Sequence, residues 1–270
     1  PQSARSAVTV PMLLQMKRNR ERIATLTAYD ASFARAMDHA GIDAVLVGDS
    51  LGMVIKGGAN TVSVSIDDMV YHSRCVAQGL QSALLIADMP FQSYATPERA
   101  LDAATALLSE GMASMVKLEG AGFVLDAIAF LSERDIPVCA HLGLTPQSVL
   151  KLGGFKVQGR DEQAALAIIE QAKQVERAGA QLLVLECLPS SLAKSVTETV
   201  GIPTIGIGAG PDCDGQILVS YDALGINSGH RRPRFVKDFL AGNGSIDAAF
   251  AQYVRDVKSG EFPSLEHGYA

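Results

Sequence analysis

Asp49, Asp88 and Glu119 each stand where a short apolar run stops. Residues 44–48 lead into Asp49-Ser50, 83–87 into Asp88, and Met115-Val116-Lys117-Leu118 into Glu119. Carboxylates gathered at one place must share a proton or share a cation, because like charges at short range do not all stay ionised. Hard oxygen donors with no nearby cysteine point to Mg2+, which takes a few carboxylates and completes its octahedron with water and substrate oxygens. The competing reading is that each acid merely caps the helix that follows it. Lys117 and Glu119 are two apart on a strand, so their side chains share one side of the sheet. A lysine within an apolar strand needs a partner. That partner is either a substrate carboxylate beside the metal or an ion pair with Glu119 or Asp88, and the two are compatible.

Three further runs end the same way: 138–140 at His141, 182–185 at Glu186, and 23–28 at Tyr29-Asp30. Glu186 closes Leu-Leu-Val-Leu, an apolar surround that would poise it as a proton acceptor. The alternative is a salt-bridged carboxylate, with Lys117 as the partner. His141 is either a third acid–base group or a hydrogen-bond donor, and a lone strand-end histidine favours the donor. Gly206-Ile207-Gly208-Ala209-Gly210 follows the seventh run, where barrels often bind phosphate. It lacks the Lys-Ser/Thr of a P-loop, and the same glycines would let the chain turn tightly.

The elements that must position these groups follow from the spacing. Short apolar runs separated by helical stretches mark a parallel α/β sheet. Reactive groups gathered at strand carboxyl ends mark a (β/α)8 TIM barrel, whose site is built there. At 270 residues the chain is close to the ~250 of one such barrel. Residues 1–270 therefore form a single domain, with a short N-terminal extension before a first strand at about residue 23. Strands are expected at 23–28, 44–48, 84–88, 115–118, 138–141, 182–186, 204–207 and 216–219. Helices are expected at 31–39, 66–78, 97–109, 161–178 and 191–199, among others. Thr96-Pro97 reads as a helix start, and Gly41, Gly79, Gly111 and Gly179 as helix stops. Two connections, 51–65 and 142–160, exceed what a barrel needs. Long loops of this kind are lids or binding loops, or else surfaces for oligomer contacts.

Composition narrows the partners. The 29 acidic residues against 23 basic ones give a net charge of −6, which argues against a general nucleic-acid surface. It also leaves an anionic substrate dependent on a local cation or metal. No apolar run approaches the ~20 residues that span a bilayer, and no signal-peptide core is present, so no membrane is expected. Cys75, Cys139, Cys187 and Cys213 show no C-x-x-C spacing, which leaves little case for zinc. Scattered thiols in a large core suggest a reducing, cytoplasmic setting. Lys17, Arg18, Arg20 and Arg22 read as a solvated helix end.

Taken together, ordered blocks along the chain resemble the ketopantoate hydroxymethyltransferase family. They begin with Thr27-Ala28-Tyr29-Asp30, Val47-Gly48-Asp49-Ser50-Leu51-Gly52-Met53, Ala87-Asp88-Met89-Pro90-Phe91 and Tyr94-Ala95-Thr96-Pro97-Glu98. Val116-Lys117-Leu118-Glu119-Gly120, His141-Leu142-Gly143-Leu144-Thr145-Pro146-Gln147-Ser148 and Gly153-Gly154-Phe155-Lys156-Val157-Gln158-Gly159-Arg160 follow. Leu185-Glu186-Cys187, Ile205 to Gly210 and Asp214 to Leu218 complete the set, and the likeness spans about Leu13 to His267.

The resemblance implies Mg2+ on Asp49 and Asp88 with Glu119 in its environment. It also implies an α-keto acid held by Asp49, Ser50, Asp88 and Lys117, with His141 in the same region, and Glu186 as proton acceptor. The implied reaction moves a hydroxymethyl group from the co-substrate 5,10-methylenetetrahydrofolate to 3-methyl-2-oxobutanoate, as the first step of pantothenate biosynthesis. The implied assembly is a homodecamer. Ser63, where the family pattern has proline, and the basic run Arg231-Arg232-Pro233-Arg234 depart from that pattern away from the metal and the base. Two rival readings stand beside it. One is another Mg2+-dependent α-keto-acid barrel enzyme with a different electrophile. The other is a keto-acid or metal sensor, which would have no need of a general base.

Overall fold

The computed structural model describes residues 5–226 and 232–270, so Arg231 lies outside the described part. Eight parallel strands close into a barrel in chain order. They are β1 (Ile23–Thr27), β2 (Ala44–Val47), β3 (Leu84–Asp88), β4 (Met115–Glu119), β5 (Val138–Gly143), β6 (Leu182–Glu186), β7 (Thr204–Ile207) and β8 (Gly215–Leu218). Each lies within two residues of its expected bounds. The helices in chain order are α1 (Val10–Arg18), α2 (Ala31–Ala40), α3 (Leu51–Val54), α4 (Ile66–Ala77), α5 (Pro97–Ser109) and α6 (Val124–Ser132). α7 (Val149–Leu152), α8 (Glu162–Arg177), α9 (Ser190–Thr199), α10 (Ser220–Ala223) and α11 (Ile246–Ser259) complete the series. Among the described residues no helix is long and apolar enough to cross a membrane.

Local chemistry explains where the helices begin. Asp30 accepts hydrogen bonds from the N–H groups of Ser32 and Phe33 and starts α2, so at this strand end the capping reading holds. Ser65 and Asp68 form a reciprocal capping box on α4. Thr96 caps α5 with Pro97 in its first turn, as expected. The helices α1, α6 and α11 were not among the expected stretches. Residues of α6 are apolar on nearly every face (Val-Leu-Asp-Ala-Ile-Ala-Phe-Leu-Ser), so it lacks the contrast that marks a helix in sequence.

The strands place the chemistry by period-two alternation. Their outward residues, such as Val45, Leu85, Val116, Ala140 and Leu183, pack under the helices. Their inward residues are apolar at the amino ends: Ala44, Leu84, Met115, Cys139 and Leu182 share one interior cluster with Val8, Leu13 and Met16 from the segment around α1. Continuing two residues at a time reaches Asp88, Lys117, Glu119, His141 and Glu186. The barrel is therefore greasy at one end and ionic at the other.

The amino end is tied down by fully partnered polar groups. The buried Asp43 carboxylate accepts the Ala24 N–H at 2.8 Å and pairs with Lys258 at 2.6 Å and with Arg5. Tyr253 of α11 reaches the carbonyls of Thr25 and Gln216 at 2.8 and 3.0 Å. Of the basic cluster, Arg18 and Arg20 are exposed as expected, whereas Lys17 and Arg22 correct the solvated reading. Lys17 bonds Asp214 at 2.8 Å and the Thr197 carbonyl at 2.9 Å, while Arg22 holds the carbonyls of Pro211 and Cys213. A lysine side chain four carbons long can lie along the barrel rim and still reach such acceptors.

Candidate active site

The six strand-end residues singled out by type come together as one string across the carboxyl end. The Asp49 N–H donates to Asp88 Oδ2 at 2.9 Å. Asp88 Oδ1 lies 2.7 Å from Lys117 Nζ, which in turn lies 3.2 Å from His141 Nδ1. That nitrogen is 3.5 Å from Glu119 Oε1, and His141 Nε2 is 3.2 Å from Glu186 Oε2. Ser50 Oγ meets the Tyr29 hydroxyl at 2.8 Å. Gly48 makes room for it, since a Cβ there would stand 2.7 Å from Ser50 Oγ.

Both readings of Lys117 left a partner to be found, and the structure supplies Asp88. The alternative for Glu186, a salt bridge with Lys117, is not what forms. Glu186 instead meets His141, so its surround is less apolar than Leu-Leu-Val-Leu suggests. It is also the most open member of the string: its side chain is 16 % exposed, against 3–5 % for Asp88, Lys117, Glu119 and His141. A proton acceptor has to be reached, and this one can be.

The backbone holds Glu186 on both sides. Gly143 takes φ +95°, and a Cβ there would fall 2.2 Å from the Glu186 carbonyl oxygen, which accepts the Leu144 N–H at 2.8 Å. Cys187 sits at φ +49°, a left-handed conformation that a non-glycine residue adopts only under constraint. The long loop 142–160 returns here, with the Gln158 N–H donating to the Cys187 carbonyl at 3.0 Å.

Burial and like charge set the protonation. Asp49 is pushed well above the usual carboxylate range, first by burial and then by repulsion from Asp88 and Glu119. Burial also raises Asp88, against the pull of Lys117. Burial would lower Lys117, but Asp88, Glu119 and Asp49 together hold it above its ordinary value and charged. For Glu119, burial is opposed by Lys117 and the Gln147 N–H, and by His141 only in a form that carries a proton on Nδ1; the net direction is down. Burial and Lys117 depress His141, while Glu119 and Glu186 lift it to about 9. A doubly protonated ring conflicts with the Lys117 ammonium 3.2 Å from Nδ1, a contact that is a hydrogen bond only if Nδ1 accepts. The geometry is the stricter constraint, and it favours a neutral ring whose Nδ1 accepts from Lys117, with Nε2 3.2 Å from Glu186 Oε2.

Three acids facing one ammonium leave excess negative charge, and Glu119 Oε1 is buried with no hydrogen-bond partner. A divalent cation fits that deficit. Among the described residues no three His, Cys, Asp or Glu side chains converge closely enough to make a ready-made metal site. This suits Mg2+, which is bound through one or two carboxylates and keeps several waters. The glycines of 206–210 are packed against side chains, Gly208 on Phe235 and Gly210 on Ser190. The tight-turn reading accounts for them.

One functional-looking pair carried no assigned role in the sequence. Gln147 and Tyr94, from the loops after β5 and β3, are buried among the acids, with Gln147 Nε2 2.9 Å from Asp49 Oδ2. A polar residue in an irregular loop has no period to betray its burial. The available signals were its place within a long loop at the strand-end face and within a block that carries the family resemblance.

Residues 7–265 match the family described as ketopantoate hydroxymethyltransferase. The chain belongs to that family. It is 59 % identical over 262 residues to the 3-methyl-2-oxobutanoate hydroxymethyltransferase of Stenotrophomonas maltophilia (strain R551-3), covering 97 % of this chain and 96 % of that protein. It is 58 % identical over 265 residues to the protein of the same name from Shewanella loihica (strain ATCC BAA-1088 / PV-4), covering 98 % and 100 %. The chain is thus a hydroxymethyltransferase. Among solved structures it superposes on phosphonopyruvate hydrolase with a TM-score of 0.62 at 14 % identity, covering 81 % of this chain and 84 % of that one. For 2,3-dimethylmalate lyase, a PEP mutase/isocitrate lyase superfamily member, the TM-score is 0.61 at 18 % identity over 82 % and 81 %. At those identities the likeness shows the barrel fold of this hydroxymethyltransferase and nothing finer.

Proposed function

We propose that this enzyme transfers a hydroxymethyl group from 5,10-methylenetetrahydrofolate to 3-methyl-2-oxobutanoate, giving 2-dehydropantoate and tetrahydrofolate, with Mg2+ held by Asp49 and Asp88. The observation that carries the reading is the unbroken string from the acid–lysine cluster on β2–β4 through His141 to an accessible Glu186. Glu119 would stand in the metal's environment, directly or through water. When bound, the cation would supply Lewis acidity to the keto group and offset the substrate's charge.

The chain's own residues account for the rest. Lys117, kept charged by Asp88, presents an ammonium to the substrate carboxylate, and the Ser50 hydroxyl offers a hydrogen bond fixed by Tyr29. Glu186 removes the C3 proton, with His141 Nε2–H steadying its carboxylate. The C3 carbon then bonds to the donor's methylene carbon as one of that carbon's two C–N bonds breaks; water displaces the second nitrogen and supplies the hydroxyl oxygen, and the proton from C3 and one from water end on the two folate nitrogens. Assembly as a cytoplasmic homodecamer is part of the same reading. Tyr71, Phe123, Leu150 and Phe155 are large apolar side chains left exposed, which neighbouring copies would cover.

The test is NMR-detected exchange of the C3 proton of 3-methyl-2-oxobutanoate in D2O, with Mg2+ and with EDTA, before and after the folate is added. The expected result is metal-dependent exchange that turns into 2-dehydropantoate formation once the folate is present. Bound keto acid that never exchanges would replace this reading with the sensor.

A further inference from the structure

Gln147 touches every part of the acid cluster that lacks a cation. Its side-chain Nε2 donates to Asp49 Oδ2 at 2.9 Å and to the Met89 carbonyl at 3.0 Å. Its backbone N–H donates to Glu119 Oε2 at 3.0 Å. Its Oε1 accepts the Tyr94 hydroxyl at 2.6 Å, and Tyr94 in turn accepts the Glu119 N–H at 3.3 Å. One loop residue thereby joins a carboxylate just beyond β2, a second at the end of β4 and a backbone carbonyl just beyond β3. The amide is not turned over, because the Met89 carbonyl presents only an acceptor and the Tyr94 hydroxyl is left its proton to give.

Asp49 needs such a partner. Among the described residues no cation lies within ion-pair distance of it, and Gln147 supplies the single side-chain hydrogen bond it receives. Lys117 pairs with Asp88 rather than with Asp49. A carboxylate repelled by two neighbours swings away from them unless something fixes it. A neutral amide fixes its direction without cancelling the charge that a cation would seek.

We propose that Gln147 is a positioning residue for the divalent cation. Its amide, oriented by Tyr94, aims the Asp49 carboxylate, while its backbone N–H holds Glu119, so that folding of the 142–160 loop and readiness of the metal site are one event. This rests on the metal reading above and deepens it.

The experiment is direct Mn2+ binding, followed by EPR of the free ion, in the wild type, Gln147→Met, Tyr94→Phe and the double variant, alongside melting curves. Methionine keeps the volume and removes both donor and acceptor. Gln147→Met is expected to weaken Mn2+ about 10- to 100-fold, and Tyr94→Phe about three- to tenfold. The double variant should be no weaker than Gln147→Met alone. At saturating Mn2+, kcat should recover most of its wild-type value, a split that general loss of structure would not produce. A folded Gln147→Met with wild-type affinity overturns the proposal, and additive losses overturn the part given to Tyr94. Should Gln147→Met fail to fold, an unchanged affinity in Tyr94→Phe overturns it instead. A wild-type protein that takes no Mn2+ removes the metal reading itself and this proposal with it.

Discussion

Two buried aspartates six residues apart, Asp43 at the foot of β2 and Asp49 just beyond its head, live in opposite electrostatic worlds. Asp43 has a backbone N–H, Lys258 and Arg5 around it. Asp49 has one neutral amide and two like-charged neighbours that push its proton affinity up. The first is a fastening: its charge is met on all sides, and it joins the N-terminal segment, β1 and α11 at one point. The second is unfinished. An acid left short of partners in the protein is one that a ligand completes, and barrels keep such acids at the carboxyl ends of their strands.

That contrast can be broken most sharply at Glu186. Glu186→Gln is expected to lower turnover about 1,000-fold while leaving Mn2+ and keto-acid affinity near wild type, checked by steady-state kinetics beside direct binding. Unchanged turnover would remove Glu186 from its role and make the whole carboxyl end a binding surface. Next in size is the aspartate pair itself. Asp43→Asn should cost about 1–2 kcal/mol of stability by losing charge-assisted bonds from Lys258 and Arg5, which water can partly resolvate, with kcat held within about twofold, well below a kcal/mol. Asp49→Asn should do the reverse. Relief of repulsion raises metal-free stability by about 1 kcal/mol, while Mn2+ affinity falls by at least about 100-fold. Denaturant melts and metal titrations on both variants decide it; the same sign of stability change in both would dissolve the distinction.

The smallest effect belongs to a third aspartate, which calibrates the other two. Asp68, largely solvated, is lowered from 3.8 to about 2 by its hydrogen bond from Lys56 and the backbone bond from Ser65. Its folded value lies below the unfolded one, so its stabilisation is complete above about pH 4 and is lost as pH falls through about 2. Screening by solvent limits this to about 0.5 kcal/mol. Asp68→Asn should therefore lower stability by about 0.5 kcal/mol near neutrality and flatten the acid limb of the stability–pH curve slightly, with the two proteins converging below about pH 2.

The same physics explains what was legible beforehand. Eight apolar runs at regular spacing, six of them ending in polar groups, are a long, repeated signal, and all eight strands lie within two residues of where it puts them. The string Asp49, Asp88, Lys117, Glu119, His141 and Glu186 was legible for the same reason, since strand ends converge in a barrel. Partner choice was not. Whether Lys117 would meet Asp88, Glu119 or Glu186 depends on the twist and stagger of neighbouring strands, which no single run encodes. Gln147 and Tyr94 sit in loops without period, and the bonds of Lys17 and Arg22 reach residues about 180 or more positions away. α6 hid because it is apolar all round.

The layer beneath the acid cluster has one more effect. Ile86, Met115, Cys139 and Val184 pave the barrel under Asp88, Lys117, Glu119, His141 and Glu186, and none of them relays a proton at neutral pH, since burial pushes the Cys139 thiol up to about 12. The floor is an insulator. A proton accepted by Glu186 has no conduit downward, so it leaves through the mouth, passes to His141, or returns to the carbon it came from. The enzyme is in this sense a one-ended vessel, in which traffic of substrates and traffic of protons share a single opening.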